Sequence, residues 1–163
     1  MDKKQLALVI GLLAAVAGCD NSSTSPSPQS PQTGAAASQQ ADIYAAEYKA
    51  DSLAWKIDAN SKFTIPVSLK NTSQAPWDSA AAKPIFLSYH WLDAKSKKVL
   101  VNDGLRTRFG KPVSPGEEVA VQLTAQAPKE AGSYIMQVSL VHEGVVWFDR
   151  KKVTPMELNI QVE

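Results

Sequence analysis

Alternating apolar and polar residues mark the most regular stretch of the chain, FTIPVSLKN. Phe63, Ile65, Val67 and Leu69 fall on one side of this stretch, which is the period-two pattern of a β-strand with one buried face. Pro66 lies inside the run and has no amide proton to donate. We therefore predict that this strand lies at a sheet edge or is bulged at Pro66.

Further runs of strand character follow along the chain, at positions 85–93, 98–101, 118–126, 133–141, 145–149 and 156–162. Turn-forming residues separate them, at positions 102–104, 114–116, 128–132 and 143–144. The folded part of the chain has no convincing amphipathic helix. The pattern therefore predicts an all-β fold, an antiparallel β-sandwich of about seven to eight strands.

The amino end has a different character from the predicted sandwich. Lys3 and Lys4 precede an almost purely apolar run of twelve residues, from 6 to 17. A membrane-spanning helix needs roughly 20 apolar residues, so this run is too short to span a bilayer as a helix. A basic start, a short apolar run and small residues at its end are typical of a secretory signal peptide, which we assign to residues 1–18.

The only cysteine of the chain, Cys19, follows this segment directly. The sequence VAGC at positions 16–19 resembles the bacterial lipobox, in which the thiol receives a diacylglyceryl group and the chain is cut just before the cysteine. The resemblance implies that Cys19 is the lipidated first residue of a mature lipoprotein, a modification that adds palmitate-type acyl chains. A plain signal peptide with an incidental cysteine, or a buried core cysteine, is the alternative.

Residues 19–40 are rich in Ser, Pro, Gln, Thr and Ala and have no aromatic residue. Such a segment buries too little apolar surface to offset the entropy of ordering, so we predict a lipidated, disordered tether ahead of a folded domain at 41–163. Without Asp2, Lys3 and Lys4, the chain keeps 15 basic and 15 acidic side chains. A neutral domain gives no electrostatic reason to expect nucleic-acid binding.

Three stretches carry a resemblance to a known group of domains: VSLKNTSQAPW, VSPGEEVAVQLTAQAPKEAGSY, and LSYHWLD followed by DGLRTRF. Together they resemble the immunoglobulin-like modules of bacterial extracytoplasmic proteins and glycan-related enzymes, a group similar to the four-tryptophan Ig-like domains. The resemblance spans roughly residues 62–149. It implies that the sandwich is immunoglobulin-like.

Five residues of these stretches have expected structural roles. The side chain of Asn71 closes the turn after its strand, and Trp77 caps one end of the sandwich. Pro115 and Gly116 form a tight turn. Tyr134 is placed like the tyrosine of a tyrosine corner, whose hydroxyl bonds to backbone upstream, near residue 128.

Motifs that would indicate catalysis are missing from the sequence. It has no GxSxG, HExxH or CxxC motif and no glycine-rich phosphate loop, so we predict a protein that is not an enzyme and has no cofactor. His142 beside Glu143, and His90 near Asp93, are the only pairs that suggest a metal. Neighbours on a strand point to opposite faces, so we predict no metal site.

Four residues are candidates for binding. Arg106 and Arg108 alternate on a predicted strand and are expected to share a face, where they either hold an anionic group of a partner or pair with nearby carboxylates. Trp147 and Phe148 adjoin each other in EGVVWFD, so one of the two rings is a candidate exposed aromatic. Packing of these rings in the core is the alternative.

These observations together predict a lipid-anchored, non-enzymatic binding or adaptor protein of the bacterial cell envelope. The sequence leaves open whether it is held in the inner or the outer membrane. Its expected partners are the membrane, through the lipid on Cys19, and an envelope protein. A carbohydrate-binding accessory module is one alternative and needs aromatic rings on one exposed face. A subunit or assembly factor of a surface or secretion complex is another, and needs an uncovered sheet edge.

Overall fold

The computed structural model describes residues 42–163. The predicted signal peptide at 1–18, Cys19 and the predicted tether at 19–40 lie outside the described residues. Within the described part of the chain, no helix has the length and apolar character needed to cross a membrane.

The described residues form nine strands and one short 3₁₀ turn. They are β1 (Ala46–Lys49), β2 (Ala54–Ile57), β3 (Lys62–Asn71), β4 (Ile85–Asp93), β5 (Val99–Val101), β6 (Glu118–Gln126), β7 (Gly132–His142), β8 (Val146–Trp147) and β9 (Met156–Val162), with the 3₁₀ turn at Asp149–Lys151. One sheet has the order β1-β3-β6. The other has the order β2-β9-β7-β4-β5, with β8 paired to β7. The all-β sandwich predicted from the sequence is confirmed, and its strand order is immunoglobulin-like.

The core lies between these two sheets and is built from the alternate positions that the sequence pattern marks. Ile65, Val67 and Leu69 of β3 are buried there, together with Leu87 and Tyr89 of β4. Burial of apolar surface stabilises such a sandwich by roughly 25 cal/mol per Å². The period-two pattern therefore reports correctly which side of each long strand packs inward.

Pro66 lies at a locally open edge, as one of the two predicted options requires. The pairing of β3 with β6 runs through Pro66 without a shift, with Pro66 opposite Gln122. On its other side, β3 pairs with β1 only from Ser68 to Asn71. At Pro66 no described strand lies on that side, so the missing amide proton costs no ladder hydrogen bond.

One pair of strands departs from the predicted antiparallel arrangement. β2 runs parallel to β9, with Trp55 opposite Ile160 and Ile57 opposite Val162. Parallel strands need a long connection, and here most of the domain lies between the two. The predicted antiparallel arrangement therefore holds for the other strand pairs and does not extend to this one.

Candidate functional site

Asn71 and Trp77 are two of the five residues with predicted structural roles. Asn71 is fully buried, and its amide donates to the carbonyl oxygens of Ala75 and Val113, at 3.0 and 2.8 Å. Trp77 is fully buried as well, and its indole nitrogen donates to the carbonyl of Ile43 at 3.1 Å. These contacts join the loop after β3 to segments distant in sequence.

The other three residues with predicted roles are Pro115 and Gly116, expected in a tight turn, and Tyr134, expected to form a tyrosine corner. Gly116 follows Pro115 and adopts a φ of 79°, a left-handed conformation that favours glycine. The hydroxyl of Tyr134 donates to the carbonyl of Glu130 at 2.9 Å, so the tyrosine bonds upstream backbone. Its acceptor is two residues beyond the predicted neighbourhood of Pro128.

A small buried cluster lies on the outer side of the six-stranded sheet, separate from the core. It consists of Phe86 from β4, Val141 from β7 and Trp147 from β8, and we call it the outer-face cluster. The guanidinium of Arg106 lies 5.4 Å from the centre of the Trp147 ring, and that of Arg108 lies 5.3 Å from the centre of the Phe86 ring. The two arginines therefore share a face, as predicted.

Both arginines are already engaged within the domain. Arg106 pairs with Glu143 at 2.7 Å and with Asp103 at 2.6 Å. Burial alone would lower the pKa of Arg106. The hydrogen bonds and negative charges of Glu143 and Asp103 have the larger combined effect, so the pKa of Arg106 is raised. Arg108 donates to the carbonyl of Ser79 at 2.8 Å. Arg106 therefore follows the alternative of pairing with nearby carboxylates, whereas the partner of Arg108 is a backbone carbonyl.

The segment that carries the two arginines is not a regular strand. Within this segment only Thr107 forms β-type backbone hydrogen bonds, in an isolated antiparallel bridge to Leu87 of β4. The prediction of a strand at this place is wrong. The arginine side chains of this segment instead pack on the outer-face cluster, Arg106 on Trp147 and Arg108 on Phe86.

Neither candidate aromatic ring is exposed. Trp147 is 9% exposed, and its ring centre lies 4.0 Å from that of His90. Phe148 is fully buried in the core between the sheets, where its ring contacts Tyr44 and Trp77. The two neighbours point to opposite sides of the sheet, so Phe148 packs in the core, which is the alternative that the sequence left open for it.

The two histidines bind different protein groups. Nδ1 of His90 donates to the carbonyl of Asn102 at 2.5 Å, and Nδ1 of His142 shares a hydrogen bond with the hydroxyl of Tyr44 at 2.9 Å. Burial lowers the pKa of His142. Among the described residues, no three His, Cys, Asp or Glu side chains come together as a metal site would require.

A second candidate site was not anticipated from the sequence. Six large apolar side chains of the described residues are strongly exposed, and four of them are close together in the chain: Val99, Leu100, Val101 and Leu105, each 40–49% exposed. Exposed apolar side chains that gather in one place are typical of interaction surfaces. Two of the four, Val101 and Leu105, also line a groove.

This groove, which we call the edge groove, has a volume of about 390 Å³ and lies between the region of β5 and the end of β6. It is lined by Asn60, Tyr89, Trp91, Val101, Asp103, Gly104, Leu105 and residues 126–129. Hydrogen bonds hold its two aromatic rings in place. The indole nitrogen of Trp91 donates to the carbonyl of Gln126 at 3.0 Å, and the amide of Gln126 donates to the hydroxyl of Tyr89 at 2.9 Å.

Gly104 is required for the shape of the edge groove. A Cβ atom at this position would lie 2.6 Å from the carbonyl oxygen of Tyr89 and 2.7 Å from its ring. Its amide also donates to that carbonyl at 3.0 Å. Only glycine allows the chain after β5 to come this close to Tyr89.

No protein-family model and no curated protein sequence matches this chain. Several solved structures are similar to it. The CARDB domain of a Pyrococcus furiosus protein is 14% identical, with a TM-score of 0.41, over 72% of this chain and 92% of that domain. The PapD-like domain 7 of human CEP192 is 12% identical, with a TM-score of 0.32, over 72% of this chain and 81% of that chain.

A third similar structure is the DNA glycosylase AlkC of Pseudomonas fluorescens, which is 13% identical with a TM-score of 0.42. The match covers 72% of this chain and 30% of that enzyme. At such identities the similarity concerns the fold alone. The order and pairing of the strands define the class of this protein, an all-β immunoglobulin-like sandwich.

Proposed function

We propose that this protein is a lipid-anchored, non-enzymatic adaptor of the bacterial cell envelope that binds a protein partner through its immunoglobulin-like domain. The observation that carries the proposal is the edge groove, which the exposed side chains of Val101 and Leu105 line, with the exposed Val99 and Leu100 preceding Val101 on β5. A preformed apolar groove with an exposed apolar rim is a common form of protein-binding surface.

The anchor is the part of the proposal that rests on the sequence. Two or three acyl chains bind a bilayer firmly, whereas one acyl chain binds only marginally. We expect the full-length protein to fractionate with membranes and to incorporate labelled palmitate. Cys19→Ser removes the thiol that carries the lipid, so this variant is expected in the soluble fraction without label.

The matched control for this experiment is Ser22→Ala, which changes a nearby residue and leaves the thiol in place. It is expected to behave like the unmodified protein. Membrane partitioning that is unchanged in Cys19→Ser contradicts the lipoprotein assignment.

The partner-binding surface can be tested in intact cells with a photoreactive amino acid at single positions. Leu105 lies on the rim of the edge groove, so a probe there is expected to give a discrete crosslinked protein band. Leu53 is 55% exposed and lies outside the edge groove, so it is the matched control. Equal crosslinking from both positions, or none from Leu105, contradicts the proposal.

Glycan binding remains the second candidate because of a polar hollow beside the outer-face cluster. This hollow, of about 360 Å³, is lined in part by Asn102, Asp103, Glu143 and Arg150 and by the edge of Trp147. Sugar rings stack on exposed aromatic faces, and the ring of Trp147 is buried against His90 and Arg106. The protein-binding proposal is favoured for this reason.

A further inference from the structure

β6 is an edge strand, and the backbone groups on its outer side can be identified from its pairing. It pairs with β3 on one side, and no described strand lies on its other side. Pro66 has no amide proton, so the pair of Pro66 with Gln122 exchanges no backbone hydrogen bonds. Because bonded and non-bonded pairs alternate along an antiparallel ladder, the backbone groups of Glu118, Ala120 and Gln122 point away from β3.

Side chains of the domain close the second half of this outer edge. The amide of Thr124 donates to the hydroxyl of Thr107 at 3.0 Å, and the amide of Gln126 donates to the hydroxyl of Tyr89 at 2.9 Å. Both amides point outward, as the alternation requires. Among residues 42–163, no hydrogen bond involves the outward backbone groups of residues 118, 120 and 122. The first half of the edge is therefore unpaired.

The other sheet edges of the described domain carry features that keep strands from adding. β1 and β2 have four residues each and contain Lys49 and Lys56, and β5 has three residues and a shifted register. The part of β3 beyond β1 contains Lys62 and Pro66. Lysine, proline, short length and irregular pairing are common protections of edges. β6 has nine residues and neither lysine nor proline, so it is the least protected of these edges.

The unpaired stretch is complementary to a second copy of itself. A two-fold axis at Ala120 brings two antiparallel copies together so that Glu118 lies opposite Gln122 and Ala120 lies opposite its own copy. This register gives every outward backbone group of residues 118–122 a partner. All three side chains are exposed. Each Glu118 carboxylate then faces an amide and not a second carboxylate, and the small side chain of Ala120 leaves room at the axis.

We propose that two copies of this chain associate through β6, pairing antiparallel over residues 118–122 and joining their β1-β3-β6 sheets into one continuous sheet. A foreign strand would fit the same backbone groups, but the second copy also supplies the matching side chains of Glu118 and Gln122. The edge groove lies at the other end of β6, at residues 126–129, so this proposal is independent of the partner-binding surface. Such a short pairing buries little area, so we expect weak association that is strengthened when both copies are held on one membrane.

The test introduces single thiols into the full chain carrying Cys19→Ser, which has no other cysteine. In the proposed register the two copies of residue 120 form a hydrogen-bonded pair with Cα atoms about 5.5 Å apart, which is within disulfide range. Ala120→Cys is therefore expected to give a covalent dimer under mild oxidation. Gln122→Cys is the register control, because its two thiols lie roughly 14 Å apart along the strands. Thr64→Cys, exposed on the middle strand of the same sheet, is the control for random collision.

Sedimentation velocity in the same Cys19→Ser background measures the association without a covalent link. The dimer fraction is expected to rise with protein concentration. Ala120→Lys places two ammonium groups opposite each other at the axis, so it is expected to raise the dissociation constant of the dimer about tenfold. Thr64→Lys is expected to leave the dissociation constant unchanged. An unchanged urea midpoint of Ala120→Lys shows that the fold is intact.

Three results overturn the inference. The first is covalent dimer from Gln122→Cys or Thr64→Cys in the same yield as from Ala120→Cys. The second is a monomer at every concentration together with no disulfide from Ala120→Cys. The third is a mixed disulfide of Ala120→Cys with a different protein in cells and no dimer, which assigns the edge to a foreign strand. In each case crosslinking from Leu105 remains the separate test of the edge groove.

Discussion

Replacing Phe148 by alanine is expected to lower the free energy of unfolding by about 3–5 kcal/mol. Phe148 is fully buried, and its ring centre lies 5.1 Å from that of Tyr44 and 5.9 Å from that of Trp77. Removing the ring leaves a cavity at the junction of these aromatic residues. Domains of this size are stabilised by only about 5–15 kcal/mol, so the loss is a large share of the total.

Urea denaturation followed by tryptophan fluorescence measures this loss. Phe148→Leu keeps most of the apolar volume and is expected to cost clearly less, and Val145→Ala, at a side chain that is 48% exposed, is expected to have almost no effect. If Phe148→Ala keeps full stability and loses partner binding instead, the ring is a binding residue and its position in the core is wrong.

Replacing Asn71 by alanine is expected to destabilise the domain by about 2–4 kcal/mol, because the buried polar groups around Asn71 all lose a hydrogen-bond partner at once. The side-chain amide donates to two carbonyl oxygens, of Ala75 and Val113. Its carbonyl oxygen accepts from the backbone amide of Ser73 at 2.9 Å and from the Ser73 hydroxyl at 2.6 Å. The buried side chain of Asn71 therefore makes four hydrogen bonds, all of which are lost in the alanine variant.

Thermal and urea unfolding of a small variant series checks the role of Asn71. Asn71→Asp keeps the acceptor but loses both donors and places a carboxylate against the carbonyls of Ala75 and Val113, so it is expected to be as destabilising as alanine. Ser73→Ala removes one partner and is expected to cost less. Equal stability of Asn71→Ala and the unmodified protein would show that these hydrogen bonds contribute nothing.

The long strands could be predicted from the sequence because each of them shows its buried face as a period-two pattern. β3, β6 and β7 have nine to eleven residues, long enough for the alternation to be distinguished from chance. β1 and β2 have four residues each and were not delimited in advance. Their position depends on pairing with β3 and β9, which lie far away in the sequence.

The candidate sites were harder to predict because exposure depends on tertiary neighbours. The alternation of side chains along a strand correctly predicts that Trp147 and Phe148 point to opposite faces of the sheet. It does not reveal that Arg106 and His90 cover the ring of Trp147 on the outer face. Likewise, the residues Val99–Val101 have the composition of a buried strand. They are exposed because β5 is the last strand of its sheet, and strand order is not encoded in local periodicity.

The position of β9 has a consequence for biosynthesis. β9 lies between β2 and β7, so the six-stranded sheet lacks a central strand until residues 156–162 have left the ribosome. Until then β2 has no strand to pair with and one side of β7 is open. Native contacts between distant segments form late. We therefore expect the six-stranded sheet to be completed only after β9 becomes available for pairing, while β3 with β6 and β4 with β7 can pair before it.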